Sequence, residues 1–412
     1  MRKSVRHIRN FSLAAAALSL SACTSGLEGD EIPADGHDDI QQEEVVEAST
    51  PTPASCPVPD SVAGGRFYNE RECFEIKEIL DDDALMDMPV YQNLDIIRNI
   101  DGFGATVIER AIASGTRICN ADLAPSVAGR YSGSENKISI DFEEAELIAK
   151  NLATMAHELW HSIQEDIDTE NFYTTATLYE NQQLVLSQEA AAEAFEVLIV
   201  FLAEQNGREG FIEGYSKFTN NRILMNAFIQ AYDQNIADGA LENEALLEAT
   251  NAAYRTKFTI QSFLDHYNNN ALRYTFNNVS LLKAPNGRNF SDDINKDGFL
   301  NDSFVFASYD DVPERSDLFG SNADLPEIFE AMEWYRQSIV FGEDDQRVID
   351  LKDSIRASGN RFIDVDFSAV ECSIRQGTLP EDAFRAQIDH SVTEEVTSLN
   401  SSAHQPLPVR PN

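Results

Sequence analysis

The sequence predicts a helix-rich α+β domain with one small sheet, and three observations predict it. Apolar residues recur at helical spacing through most of the middle of the chain, broken by short polar turns. One pair of short β-type segments, 129–131 and 137–140, is joined by the polar turn Ser132 to Asn136. Internal repeats, the signature of a solenoid, are missing from this 412-residue sequence.

Taken from the amino terminus, MRKSVRHIR is basic and Phe11 to Leu20 is apolar, but that run is too short to cross a bilayer. Residues 1–22 therefore read as an export signal. The segment 23–55 is acidic and proline-containing, with almost no apolar periodicity, and reads as a flexible tether. Residues 56–390 are long enough to bury a substantial core and to form a second, mostly helical lobe. Residues 391–412 read as a disordered tail.

Within the main body, Asp141 to Gln164 is predicted helical, with Ile148, Leu152, Met155, Leu159 and Ile163 as its apolar stripe. At about 100° per residue, His157 and His161 fall on the opposite side, with Lys150, Thr154 and Gln164. A second strong helix is expected over Gln183 to Ala203, carrying Glu189, Glu193 and Glu196 on one face. On a helix this apolar, part of that face is buried, and buried carboxylates need a cation or a hydrogen-bonding partner. The short side chains of Ala190, Ala191 and Ala192 allow a neighbouring helix to approach closely. Further helical patterns cover Gly207 to Phe218, Asn221 to Ile236, Glu242 to Tyr254 and Thr259 to Asn268.

The chemistry is concentrated in His157-Glu158-Leu159-Trp160-His161. Histidines four apart lie one turn above each other, so both imidazoles can reach one metal ion. The glutamate between them sits beside that ion, placed to take a proton from water. HExxH followed by a helical glutamate, with another acidic group four residues on, resembles the gluzincin branch of zinc metallopeptidases. The resemblance spans Gly129 to Ala203. It implies zinc held by His157, His161 and Glu189, with Glu158 as catalytic base and Glu193 orienting an imidazole. It also implies that the hairpin before the metal helix is the edge strand along which an extended peptide lies. The metzincin branch fits poorly, since Gln164 and Ile167 stand where it needs glycine and a third histidine. Zincins stabilise the oxyanion with a tyrosine or histidine, for which Tyr267, beside His266, and Tyr274 are the candidates. A rival reading keeps the peptidase-like fold but has it hold zinc or a partner without hydrolysis.

Leu20-Ser21-Ala22-Cys23 resembles the lipobox of bacterial lipoproteins, which implies cleavage before Cys23 and lipid on its thiol and new amine. Thr24 after that cysteine fits sorting to an outer membrane. Cys56, Cys73, Cys119 and Cys372 then form an even set in an oxidising compartment, where two disulfides are expected. The local pair Cys56–Cys73 is the favoured pairing, leaving Cys119 with Cys372. Asp293, Asn295, Asp297, Phe299 and Asn301, with Gly298, resemble the first nine positions of an EF-hand calcium loop. Phe304 occupies the twelfth position, where a bidentate carboxylate belongs. The net charge of −39, from 70 acidic and 31 basic residues, excludes a nucleic-acid partner, which needs a basic footprint. The expected partners are a peptide or protein substrate and, through the lipid, a membrane.

Overall fold

The structure is a computed structural model that describes residues 70–100, 103–121, 123, 128–142, 148–164, 177–277 and 317–388. All of these lie in the compact unit Cys56–Asn412. The expected signal, tether, tail and calcium loop fall outside the described residues, as do Cys23 and Cys56. Among the described residues no helix is long and apolar enough to cross a membrane.

The fold is α+β and helix-rich, built on one four-stranded mixed sheet. Strands β1 (Glu70–Glu75) and β2 (Arg117–Ala121) pair antiparallel, and β2 runs parallel to β4 (Lys137–Ile140). The outermost strand, β3 (Gly129–Ser132), pairs antiparallel with β4, so the order is β1-β2-β4-β3. Between β1 and β2 the chain forms α1 (Ile76–Asp81), α2 (Pro89–Arg98) and α3 (Phe103–Ala113). Pro89 opens α2 where a missing N–H costs nothing. Gly104 lets α3 close onto α2, since a Cβ there would lie 2.0 Å from the Ile97 carbonyl oxygen. The turn between β3 and β4 ends on Asn136, which takes a left-handed conformation, φ 43°, that asparagine tolerates better than most residues. Its amide donates to Ser114 O at 2.6 Å and accepts from the Thr116 and Tyr131 hydroxyls, locking the hairpin to the end of α3.

The expected hairpin is present, and the metal helix follows it as α4 (Ile148–Gln164). Asp141 and Phe142, included in the predicted helix, are not helical. The stripe at Leu152, Met155, Leu159 and Ile163 is buried in the core. The second strong helix, α5 (Leu178–Gln205), is longer than predicted, at 28 residues or about 42 Å. Thr177 and Glu180 cap its start reciprocally. Ala190, Ala191 and Ala192 are fully buried, and Trp160 of α4 stacks on Phe195 of α5 with ring centres 4.6 Å apart. The two helices run antiparallel here: the Gln164 side chain reaches the Gln188 carbonyl, while His157 faces Glu196.

Four helices follow: α6 (Phe211–Tyr215), α7 (Thr219–Ala237), α8 (Glu242–Lys257) and α9 (Gln261–Asn277). The predicted helix over Gly207 to Phe218 shrinks to the five residues of α6. The C-terminal part contains α10 (Leu325–Phe341), α11 (Gln346–Ala357), α12 (Phe367–Arg375) and a last helical stretch over 380–388. These helices bury a second apolar cluster with the end of α9, around Phe276, Trp334, Phe362 and Phe384. The first and larger cluster joins the sheet to α1–α8 and the start of α9. Glu333 of α10 accepts from the Leu178 N–H at 2.8 Å, which fixes the start of α5 against the second cluster.

The expected disulfide pairing is corrected. Cys73 and Cys119 face each other in the β1–β2 register and are bonded to one another. Cys372 is also in a disulfide, and its partner lies outside the described residues. The sequence-local choice failed because a strand register, not chain proximity, sets which sulfurs meet.

Candidate metal centre

Helical geometry places His157 and His161 one turn apart on the face of α4 that the core does not use. Their Nε2 atoms are 3.0 Å apart. The crossing of α5 over α4 brings Glu189 Oε2 to 3.4 Å from His157 Nε2 and 3.6 Å from His161 Nε2. Three zinc ligands at ordinary bond lengths and a tetrahedral angle would stand about 3.3 Å apart. The observed triangle brackets that value, so the donor set fits a zinc-sized ion. Among the described residues, His157, His161 and Glu189 are the cluster able to hold a metal. The three are partly buried, 16% exposed at each imidazole and 20% at Glu189.

Around this triangle the other ring nitrogens are held. His161 Nδ1 lies 2.7 Å from Gln164 Oε1, and the Gln164 amide donates to the Gln188 carbonyl at 3.0 Å. His157 Nδ1 lies 3.6 Å from Glu196 Oε2, and the Tyr215 hydroxyl donates to the other Glu196 oxygen at 2.5 Å. This corrects the expectation for Glu193. Its carboxylate pairs with Lys257 of α8, and the group beside the imidazole is Glu196, one turn further along the antiparallel α5. Tyr215, Gln164 and Lys257 went unread as site residues. Tyr215 and Lys257 arrive from separate helices with no spacing signal, whereas Gln164 shares the histidine face of α4.

The electrostatics follow from this concentration of carboxylates. Burial pulls the His157 imidazole down, but its hydrogen bonds to the Glu189 and Glu196 carboxylates outweigh it and hold its pKa well above 6.5. His161 is raised too, with burial opposed chiefly by the Glu189 charge. Burial pushes Glu189 up, yet the two imidazoles more than reverse it and its pKa lies well below 4.5. The same field favours a divalent cation in place of those protons.

Glu158 is 6% exposed and points along the cavity wall beneath β3. A Cβ on Gly129 would stand 2.9 Å from both Glu158 Cγ and Oε1, so strand and carboxylate are in direct contact. Burial raises the Glu158 pKa, the two imidazoles oppose it, and the Tyr131 backbone N–H bonds the carboxylate. Burial thus makes the Glu158 carboxylate a stronger proton acceptor than a solvated one. The cavity measures about 650 Å³ and is walled by Ala128 to Tyr131 of the edge-strand region on one side and by Phe218, Asn220 and Asn221 on another.

Of the two tyrosine candidates, Tyr267 lines this cavity and donates from its hydroxyl to Glu189 Oε2 at 2.6 Å. Burial and the Glu189 charge hold its phenol well above pKa 10, so it stays a donor. Tyr274 sits on the same helix, but its side chain is outside the described residues. So are Asp293, Asn295, Asp297, Phe299 and Asn301, and calcium there rests on residue pattern alone.

Residues 98–293 match the family described as "Putative metallopeptidase family (DUF6782)". The matched region contains every side chain of the triangle and its surroundings. Its description implies a metal and a peptide or protein substrate. No curated protein and no solved structure matches the chain.

Proposed function

We propose that this protein is a zinc-dependent peptidase of gluzincin type. The observation that carries the reading is the convergence of His157, His161 and Glu189 on one ion-sized triangle, with Glu158 beside it and an open cavity in front. A bound zinc ion would supply an acidified water and a Lewis acid for the scissile carbonyl. Glu158 then accepts the proton of the attacking water and passes it to the leaving amine. Gln164 and Glu196 hold the imidazoles in the tautomers that leave both Nε2 atoms as donors of electron pairs. The β3 edge offers backbone groups along which an extended peptide can lie. Tyr267, whose hydroxyl donates to Glu189 Oε2, is the candidate donor to the carbonyl oxygen as charge develops on it.

The amino-terminal pattern supports export and anchoring to the bacterial envelope through a lipid on Cys23, in an outer membrane where the cell has one. The deciding experiment is Glu158→Gln. The variant should keep its fold and bind about one zinc per chain while losing chelator-sensitive cleavage of a peptide library. No such cleavage by the wild type rejects a hydrolytic role and leaves a binding protein, whereas undiminished cleavage by the variant removes Glu158 from the reaction.

A further inference from the structure

One charged pair in the cavity has no part in the reaction proposed above. Lys257, the last residue of α8, is buried, with its side chain 5% exposed, and it lines the cavity. Its ammonium lies 4.5 Å from the centre of the Phe263 ring and pairs with Glu193 Oε2. Taking both charges out of water is costly, and an apolar pair of similar volume often serves stability equally well. Stability alone is therefore a weak reason for the pair.

Its position offers a better one. Glu193 is one turn beyond Glu189 on the same face of α5 and opens onto the same cavity. A carboxylate there, without a partner, would find its strongest attraction in a divalent ion held by the neighbouring triangle. Among the described residues, however, the ligand cluster contains Glu189 and not Glu193. A fourth protein ligand would close the site, and closed zinc sites are structural whereas catalytic ones keep a position for water. We propose that Lys257 is a positioning residue that holds the Glu193 carboxylate off the metal and so keeps one coordination position open. The proposal rests on the zinc-site reading given above.

The test uses wild type, Lys257→Met and the double variant Lys257→Met with Glu193→Gln. Three quantities are read: zinc affinity by chelator competition, visible absorption of the cobalt(II)-substituted protein, and peptide cleavage. Lys257→Met should bind zinc at least as tightly as wild type, change the cobalt spectrum, and cleave about 100-fold more slowly. The double variant, which no longer has a carboxylate to release, should return to the wild-type spectrum and to within about tenfold of wild-type cleavage. Equal loss of cleavage in both variants overturns the proposal, as does a Lys257→Met protein whose zinc affinity falls with its stability. If Lys257→Met does not fold, the double variant decides alone, and its failure to cleave with zinc still bound overturns the idea. Wild type that takes up no zinc sinks the metal reading itself. Wild type that binds and cleaves, matched by Lys257→Met, sinks only this inference.

Discussion

Replacing Gly129 with alanine probes whether β3 and the metal helix must touch for the site to work. The added Cβ would stand 2.6 Å from Thr154 Cγ2 and 2.9 Å from Glu158 Cγ and Oε1. Ordinary contact begins near 3.4 Å, so the shortfalls are about 0.8 Å at Thr154 and 0.5 Å at Glu158. Overpacking of that size costs about 1–3 kcal/mol. A carboxylate displaced by a sizeable fraction of an ångström loses up to about 100-fold in rate. The zinc ligands come from α4 and α5 and are not in the clash. Gly129→Ala should therefore lower kcat/KM by one to two orders of magnitude, on the order of 10–100-fold, with zinc affinity within about twofold of wild type. Adding Thr154→Ser removes the worse clash but not the one at Glu158, so it should recover thermal stability and not cleavage. Peptide hydrolysis, chelator competition and thermal unfolding on the three proteins check this. Full activity in Gly129→Ala would show that Glu158 does not act from the position it holds here.

Three more outcomes follow from the same coordinates. Both histidines have raised pKa values without metal, so protons compete with zinc, and affinity should fall as pH drops through those values, by up to about 100-fold per unit if two protons are displaced. The metal-free protein behaves oppositely: the histidine contribution to stability is complete below 6.5 and is lost as pH rises through the folded values, while the Glu189 contribution is present above 4.5 and fades as pH falls. Thermal unfolding with and without zinc, followed from below pH 6.5 upward, should show the two curves diverging as pH rises. Tyr215→Phe removes the donor that holds Glu196 against His157 and should weaken zinc about 10-fold in a competition titration, with the fold kept. Serine at both Cys73 and Cys119 should cost about 4 kcal/mol, from the loop of 46 residues the bond closes, and should leave zinc affinity of the folded protein unchanged. An affinity change there would tie the far edge of the sheet to the metal helix.

What could be read in the sequence was what local periodicity controls. The apolar stripe of α4 fixes which face the core takes, and so places His157 and His161 on the other. That the face carrying Glu189, Glu193 and Glu196 needs a partner was legible from so apolar a helix, whereas Glu189 as the ligand came from the gluzincin resemblance. The choice between Glu193 and Glu196 was not, because both lie within about 40° of Glu189 around α5. Only the antiparallel crossing of α4 and α5 decides it, since it carries His157 towards the later glutamate. Lys257 and Tyr215 depend on how α8 and α6 dock, 64 and 19 residues from their partners. Strand β1, ERECFE, alternates no apolar face, so neither it nor the disulfide its register creates was visible.

The central claim is tested most directly by counting metal. Purified protein dialysed against zinc and then against metal-free buffer should retain about one zinc per chain by elemental analysis, and alanine at His157, His161 or Glu189 should each reduce that to near zero. Retention of a full equivalent by all three variants would contradict the account, because the ion would then be held by residues other than this triangle.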